Sequence, residues 1–158
     1  MTTSSTEPRR SRIALFYSSC GRFLRVSGLR LDLEERSFEL PPAVVDTGLD
    51  IAILGPELPE WSDVRSRSSR IHGIAGQARK TRLRAAVVSV DRIPIPGEHA
   101  VHTIEMKEGV PEQEWMVGLP VLRHFHLLLA VDRSLSQQDE PWMYPPPLRP
   151  ALTQVLGS

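Results

Sequence analysis

Short apolar runs that alternate with polar residues recur along this chain, and turn residues separate them. An alternation with a period of two is typical of β-strands, whereas an amphipathic helix places apolar residues three and four positions apart. The strand pattern fits seven stretches: RIALFYSS, RFLRVSGLRLDL, SFELPPAVVDTG, IAILG, RLRAAVVSV, HAVHTIEM and HLLLAV. The helix pattern fits only LPVLRHF, directly after Gly118. We therefore predict an all-β fold, a closed barrel of short strands with one short helix after Gly118.

Both ends of the chain differ in composition from its middle. Residues 1–11 are rich in Ser, Thr, Pro and Arg, which predicts a disordered N-terminal segment. Residues 135–158 include the stretch EPWMYPPPLRP, and proline is disfavoured inside a sheet because it has no N–H to donate. That composition predicts a Pro-rich C-terminal tail. Residues 12–134 remain as a single domain, since 158 residues with 41% hydrophobic side chains suit one core.

Charge and cysteine content narrow the class of protein. Lysine plus arginine and aspartate plus glutamate each number 19, so the overall balance favours neither nucleic acid nor a membrane as a partner. Cys20 is the only cysteine, which excludes an internal disulfide and suits the reducing cytoplasm. The longest apolar run, LLLAV, is too short to cross a bilayer, and no secretory pattern is visible. These features predict a soluble, cytoplasmic protein.

One apolar stretch, AVVDTGLDIAIL, is interrupted by an aspartate, Asp46. A charged residue inside such a run is costly to bury unless a partner or a chemical role compensates. An ordinary β-turn is one explanation, because Asp and Gly are both turn residues. The other explanation is catalytic. Two carboxylates that share one proton can hold a water molecule, deprotonate it and protonate a leaving group.

The sequence VVDTG followed by an apolar run resembles the active-site strand and turn of the retropepsin-like aspartic protease family. Three further stretches occur in the order of that family. The segment RIHGIAGQARKTRLR is similar to a hairpin with a glycine-rich flap at its tip. The segment EWMVGLPVLRHF is similar to the two apolar residues and glycine that cross behind the aspartate turn and start a short helix. Finally, HLLLAVD resembles the strand that ends the domain.

The resemblance implies an aspartic endopeptidase that cleaves polypeptides without metal or cofactor. Its catalytic turn would be Asp46, Thr47 and Gly48, and its substrate-binding flap would be Gly73, Ile74, Ala75 and Gly76. The chain holds a single such turn, so the second carboxylate must come from another copy, which implies a two-fold homodimer with Asp46 of both subunits on the axis. The Thr47 hydroxyl would bond across that dimer.

Two departures from the family pattern leave alternatives open. Leu49 stands where the family usually has alanine or serine, and the segment 91–114 is longer than in compact viral enzymes. A catalytically weak or inactive dimerisation or peptide-binding module with the same fold is therefore a second hypothesis. His124 and His126 are predicted to be structural or surface residues and not metal ligands, because no third ligand stands nearby in sequence.

A basic segment from residue 65 to residue 84 is followed by an acidic one. The basic residues are Arg65, Arg67, Arg70, Arg79, Lys80, Arg82 and Arg84, and the acidic residues are Glu98, Glu105, Glu108, Glu112 and Glu114. Exposed charges of this kind usually pair across a surface and reveal little about function. Two functional explanations stay open beside that one: a preference for acidic peptides, and a β-barrel nucleic-acid binder that uses the arginine-rich hairpin.

Overall fold

The computed structural model describes residues 13–17, 23–73, 76–109, 112–128 and 142–144 of the chain. These residues form thirteen β-strands, one 3-10 helix and one short α-helix. The strands are β1 (Ile13–Tyr17), β2 (Leu24–Val26), β3 (Leu29–Leu33), β4 (Arg36–Glu39), β5 (Ala43–Val45), β6 (Ile53–Pro56), β7 (Arg67–His72), β8 (Ala78–Val90), β9 (Ile93–Pro94), β10 (His99–Ile104), β11 (Met116–Val117), β12 (His126–Leu128) and β13 (Trp142–Tyr144). The 3-10 helix is Pro59–Trp61, and the α-helix, α1, is Leu119–Leu122. The predictions of a mostly β fold and of a short helix after Gly118 are confirmed.

Two of the predicted strand stretches divide where the backbone chemistry requires it. The first divides into β2 and β3 at Gly28, whose φ of +81° is rarely adopted by residues with a side chain. The Gly28 carbonyl accepts a hydrogen bond from the Asp91 amide at 2.9 Å, which fixes this bend against the body. The second divides into β4 and β5 around Pro41 and Pro42, neither of which can donate to a ladder.

The sheet follows the order β12-β13-β1-β2-β5-β11-β6-β10-β8-β3-β4, with β7 and β9 also paired to β8. It curls into half a barrel. Most neighbours are antiparallel, but β11 runs parallel to β5 and β10 runs parallel to β6. These parallel pairs place the short strand β11 between β5 and β6, immediately before α1.

One hydrophobic core lies on the inner face of the curled sheet. It includes Val26, Leu31, Leu33, Ile53, Val88, Val101, Val117 and Val121, none of which is more than 1% exposed. Trp61, the last residue of the 3-10 helix, is fully buried in this core. Its ring lies 5.3 Å from the ring of Phe38 and 5.7 Å from that of Trp115, so three aromatic side chains join the helix to the sheet.

The predicted Pro-rich tail, residues 135–158, includes a strand among its described residues. Residues Trp142–Tyr144 form β13, which pairs antiparallel with both β1 and β12. These three residues include no proline, so each can both donate and accept ladder hydrogen bonds. Residues 1–11 and the rest of the predicted tail lie outside the described residues. Within the described part of the chain, no helix is long and apolar enough to cross a membrane.

Candidate active site

The aspartate turn begins directly after β5. The Asp46 side chain accepts a hydrogen bond from the Gly48 amide at 2.9 Å, and the Asp46 carbonyl accepts one from the Leu49 amide at 3.2 Å. Asp46 is partly exposed, and Thr47 and Gly48 are exposed. The carboxylate therefore keeps access to water and incurs little of the desolvation cost that its apolar neighbours would impose.

The segment that contains β11 supports this turn from behind. The Asp46 amide donates to the Val117 carbonyl at 3.0 Å, the Gly118 amide to Ala52 at 2.9 Å, and the Leu119 amide to Leu49 at 2.8 Å. These bonds join two regions of chain that are far apart in sequence into one backbone unit. The structure thus places the apolar-apolar-glycine segment against the aspartate turn.

Only glycine fits at position 118. A Cβ atom there would lie 1.9 Å from the Ile51 carbonyl oxygen and 2.6 Å from the Leu49 carbonyl oxygen. Both atoms belong to backbone of the aspartate turn and cannot rotate away as a side chain would. The close approach lets α1 begin at Leu119 with Pro120 in its first turn, a position at which proline costs no hydrogen bond.

A continuous row of paired residues crosses the sheet beside the turn. Directly opposite residues lie on the same face of a sheet, and here the pairs connect from strand to strand. The row runs Arg25, Val44, Met116, Leu54, His102, Leu83, Arg67, across β2, β5, β11, β6, β10, β8 and β7. Because side chains alternate along a strand, Asp46 shares the face of Val44, two residues earlier. We call this surface the Asp46 face.

Both ends of this row are cationic, and its centre is apolar. Val44 and Leu54 are buried, and Met116 is partly buried. Arg25 at one end forms an ion pair with Glu114, whereas Arg67 at the other end is exposed. The Asp46 face therefore has a largely buried apolar strip at its centre, beside Asp46, and the exposed guanidinium of Arg67 at its far end.

His102 joins the hairpin to this face. Its Nδ1 lies 2.9 Å from the Thr81 hydroxyl of β8. Burial lowers the pKa of His102 below its ordinary value of 6.5, the charge of Arg67 lowers that pKa further, and Asp50 opposes the shift. The imidazole is consequently neutral near pH 7.

The segment predicted as a flap is a two-stranded hairpin of β7 and β8, which pair from Arg67 with Leu83 to His72 with Ala78. Its tip is closed by hydrogen bonds from Gly73 to the Gln77 carbonyl at 3.0 Å and from Gly76 to the Gly73 carbonyl at 2.9 Å. Gly76 has a φ of +76°, which favours glycine. Ile74 and Ala75 lie outside the described residues. We call residues 65–84 the basic hairpin.

The basic hairpin also contacts the segment before β11. Arg79 donates a hydrogen bond to the Gln113 side-chain oxygen at 3.3 Å. The Gln113 amide nitrogen in turn lies 3.6 Å from the sulfur of Met116, in the centre of the row. Arg79 therefore reaches the Asp46 face near its apolar strip.

Arg84 has a different role from the rest of the basic hairpin. Its side chain is 1% exposed and its two terminal nitrogens bind Glu57 at 2.8 and 2.6 Å. Thr103 donates to the same carboxylate, and Arg84 also donates to the Trp61 carbonyl at 3.2 Å. Burial acts to raise the pKa of Glu57, but the hydrogen bonds from Arg84 and Thr103 outweigh it and hold the pKa below its ordinary value.

Sequence reasoning counted Arg84 among seven similar cations and missed this buried network. The only sign was the alternation of Arg84 with Ala86, Val88 and Val90, which places it on the core side of β8. His102 was missed because HAVHTI is buried at almost every position and lacks a clear alternation.

The described residues contain no group of three or more His, Cys, Asp or Glu side chains placed to hold a metal ion. His124 packs edge-on against His99, with ring centroids 6.2 Å apart, at the end of α1. A comparison with family models, with curated proteins and with solved structures gives no match.

Proposed function

We propose that this chain is one subunit of a homodimeric, retropepsin-like aspartic endopeptidase of the cytoplasm. We also propose that its sheet, described as half a barrel, belongs to a closed barrel fold. The observation that carries the proposal is the aspartate turn. Asp46 is partly exposed, on a loop fixed by three hydrogen bonds to Val117, Gly118 and Leu119. The loop thus holds an accessible carboxylate in a fixed position, as a catalytic group requires.

In the proposed dimer the Asp46 side chains of both subunits share one proton. Like charges about 3 Å apart cannot both ionise, so one carboxyl stays protonated and the other acts as a base. The base takes a proton from a bound water molecule as the water oxygen attacks the peptide carbonyl. The protonated carboxyl hydrogen-bonds the carbonyl oxygen and stabilises its developing charge, and a proton then passes to the leaving nitrogen as the C–N bond breaks.

The surface around the turn supports an isologous interface at this point. Thr47 and Gly48 are exposed, and Leu119 at the start of α1 is 47% exposed. Phe23 is 45% exposed. It stands two residues before Arg25, whose partner Val44 stands two residues before Asp46, and β2 and β5 are antiparallel. Phe23 therefore lies at the Asp46 end of the β2–β5 pair. Exposed large apolar side chains that cluster on one surface are typical of interaction sites.

The basic hairpin supplies the second element of the proposed enzyme. Gly73 and Gly76 close its tip, and Ile74 and Ala75 complete the proposed flap. A hairpin of this length can lie over an extended peptide, offer main-chain hydrogen bonds to it and exclude water from the reaction.

Replacement of Asp46 by asparagine tests the proposal. The substitution keeps the shape of the side chain and the acceptor for Gly48, but it removes the base, so we expect loss of nearly all cleavage in a broad peptide-library digest at about pH 4 to 7. The matched control is Asp91→Asn, at an exposed turn residue of the same type. Undiminished cleavage by D46N, or no cleavage by the unsubstituted protein, would refute an endopeptidase.

A second candidate is a peptide-binding or dimerisation module with the same fold and little hydrolysis. Leu49 favours it, because this partly buried side chain stands beside the turn where a smaller residue is usual in the resembled family. Binding of a transition-state-mimicking inhibitor separates the two candidates. An active enzyme binds it far more tightly than the matching substrate peptide, whereas a module that only binds peptides does not distinguish them.

A further inference from the structure

Apart from Arg84, the cations of the basic hairpin form no ion pair within the described part of the chain. The hairpin contains no aspartate or glutamate. Its exposed cations are Arg65, Arg67, Arg70, Arg79, Lys80 and Arg82. None of them forms an ion pair with a carboxylate in the described part of the chain, where the ion pairs belong to Arg25, Arg30, Arg36 and Arg84. Charge pairing across an ordinary surface hairpin therefore does not explain the pattern.

The arrangement within the hairpin also opposes its own stability. Arg70 lies directly opposite Lys80, and like charges at directly opposite positions destabilise a sheet. Arg82 lies on the same face, two residues from Lys80. This repulsion lies on the side of the hairpin that faces away from Asp46, so it does not by itself indicate a ligand on the Asp46 face.

Two of the six cations lie on the Asp46 face. Arg67 pairs with Leu83 and Arg79 pairs with Ile71, and alternation places both pairs on the side of Thr81 and His102. Arg79 contacts the Asp46 face through Gln113 and Met116. Arg70, Lys80 and Arg82 point to the opposite side of the hairpin.

A cleft at the base of the hairpin gives Arg67 a concave setting. It has a volume of about 480 Å³, and its lining includes Arg65, Arg67, Leu83, Ala85 and Glu98. Leu83 and Ala85 provide an apolar floor on the Asp46 face. The lining contains one carboxylate, Glu98, and three arginines, of which Arg84 is paired with Glu57 and Arg65 and Arg67 are exposed. The cleft thus suits a side chain with an apolar stem and a negative end.

We propose that the active site selects acidic polypeptide segments, in which glutamate or aspartate residues that flank the scissile bond bind Arg67 and Arg79 on the Asp46 face. The inference rests on the proposed function for the position of the scissile bond. The two arginines supply charge-assisted hydrogen bonds, and Leu83 and Ala85 supply apolar contacts in the cleft beside Arg67. Single-stranded nucleic acid is the competing anion, but the described hairpin residues include no Phe, Tyr or Trp on which bases could stack.

Binding to the full-length Asp46→Asn protein tests the inference without hydrolysis. The probes are two fluorescent peptides with the same central apolar pair, one flanked by glutamates and the other by glutamines. We expect the glutamate peptide to bind about tenfold more tightly at low salt, and the difference to shrink as salt increases. Equal binding, no binding of either peptide, or tighter binding of an oligothymidine would overturn the inference.

Two double variants with the same change of charge locate the site. In the D46N background, Arg67→Gln with Arg79→Gln removes the cations of the Asp46 face and should abolish the preference for glutamate. Arg70→Gln with Lys80→Gln removes two cations from the other side and should retain it. Equal losses in both would indicate a general electrostatic field and reject a defined subsite.

Cleavage of the same two peptides by the unsubstituted protein is a separate measurement. Failure to cleave either peptide while D46N binds the glutamate peptide selectively refutes the endopeptidase and keeps the acidic binding site. Equal cleavage of both refutes the acidic preference and keeps the endopeptidase. The two proposals can therefore fail independently.

Discussion

At the scale of single residues, Gly118 determines the geometry of the aspartate turn more than any residue within the turn. Its amide and the amide of Leu119 bind carbonyls of the loop, and its missing side chain allows the backbone to approach. Gly55 has a comparable role against Trp115, whose ring would lie 2.1 Å from an added Cβ atom. Glycine is required at these two positions because a side chain would overlap neighbouring atoms, and not because the backbone adopts a positive φ.

We predict that Gly118→Ala lowers the free energy of unfolding by about 3 kcal/mol, because an added methyl group would overlap two backbone carbonyls that cannot move independently. Chemical denaturation measures this change. The control is Gly73→Ala, where the nearest atom to an added Cβ is the Gln77 carbonyl oxygen at 4.0 Å. A G118A protein as stable as G73A would show that the loop can move away from β11.

The role of a residue can be predicted from the sequence when it depends on a short motif around that residue. Asp46, Thr47, Gly48 and Gly118 belong to recognisable short motifs, and the structure brings the aspartate turn and the glycine together. Arg84 and Trp61 are different, because their environment is built from strands and loops far apart in the chain. No short motif contains such an environment, so the sequence alone does not separate a buried arginine from six exposed ones.

At the scale of elements, β8 has two roles along its thirteen residues. Its first half belongs to the basic hairpin and its second half packs Ala86, Val88 and Val90 into the core. Arg84 lies at the boundary, where its bonds to Glu57 and Trp61 connect β8 to the end of β6 and to the 3-10 helix. The network therefore fixes the base from which the hairpin extends.

Removal of one partner of this network should substantially lower the free energy of unfolding. We predict that Glu57→Gln destabilises the fold by about 3–5 kcal/mol, because it leaves the buried charge of Arg84 uncompensated. The midpoint of urea unfolding measures the effect. Asp63→Asn breaks the exposed pair between Asp63 and Arg36 and should leave that midpoint unchanged. Similar midpoints for both variants would contradict a structural role of the buried pair.

His102 gives this region a pH dependence with a definite sign. Its pKa is lower in the folded protein than the ordinary 6.5, so the unfolded chain binds the proton more readily. Stability is therefore constant above about pH 6.5 and falls as the pH decreases below it, with a slope of at most about 1.4 kcal/mol per pH unit from this group. Denaturation between about pH 5 and 8 measures the slope.

The variant His102→Gln keeps a hydrogen-bonding side chain for Thr81 and removes the titration. We expect a shallower pH dependence than in the unsubstituted protein. His124, whose pKa is also lowered by burial, keeps its own contribution in that variant. An identical slope in both proteins would assign the effect to groups other than His102.

At the scale of the whole molecule, the proposed activity depends on association. One chain provides a single aspartate turn, and the surface around it carries the exposed side chains of Leu119 and Phe23. The mostly β content was predictable because alternation is a local pattern, whereas the curl of the sheet into half a barrel depends on how distant strands pair. The position of β13 was not, because its pairing with β1 and β12 joins residues from opposite ends of the chain.

We predict that Leu119→Lys weakens the proposed dimer at least about tenfold, because two-fold symmetry would bring the new charges close together in an apolar setting. Sedimentation velocity over a range of concentrations measures dissociation, and specific activity should fall in parallel. Val87→Lys is the matched control, since Val87 is also an exposed apolar residue, at 38%, but lies on β8 opposite Asp32. A strictly monomeric unsubstituted protein, or equal effects of both substitutions, would reject an interface at Leu119.

The contact between Gly118 and the aspartate turn has a consequence during synthesis. During translation, Asp46 emerges from the ribosome long before Val117, Gly118 and Leu119, whose backbone groups hold the turn in place. A nascent chain therefore carries the acidic residue without its support until residues 117–119 have been synthesised. If this protein is a protease, that delay protects the ribosome-bound polypeptide, and its neighbours in the polysome, from premature hydrolysis.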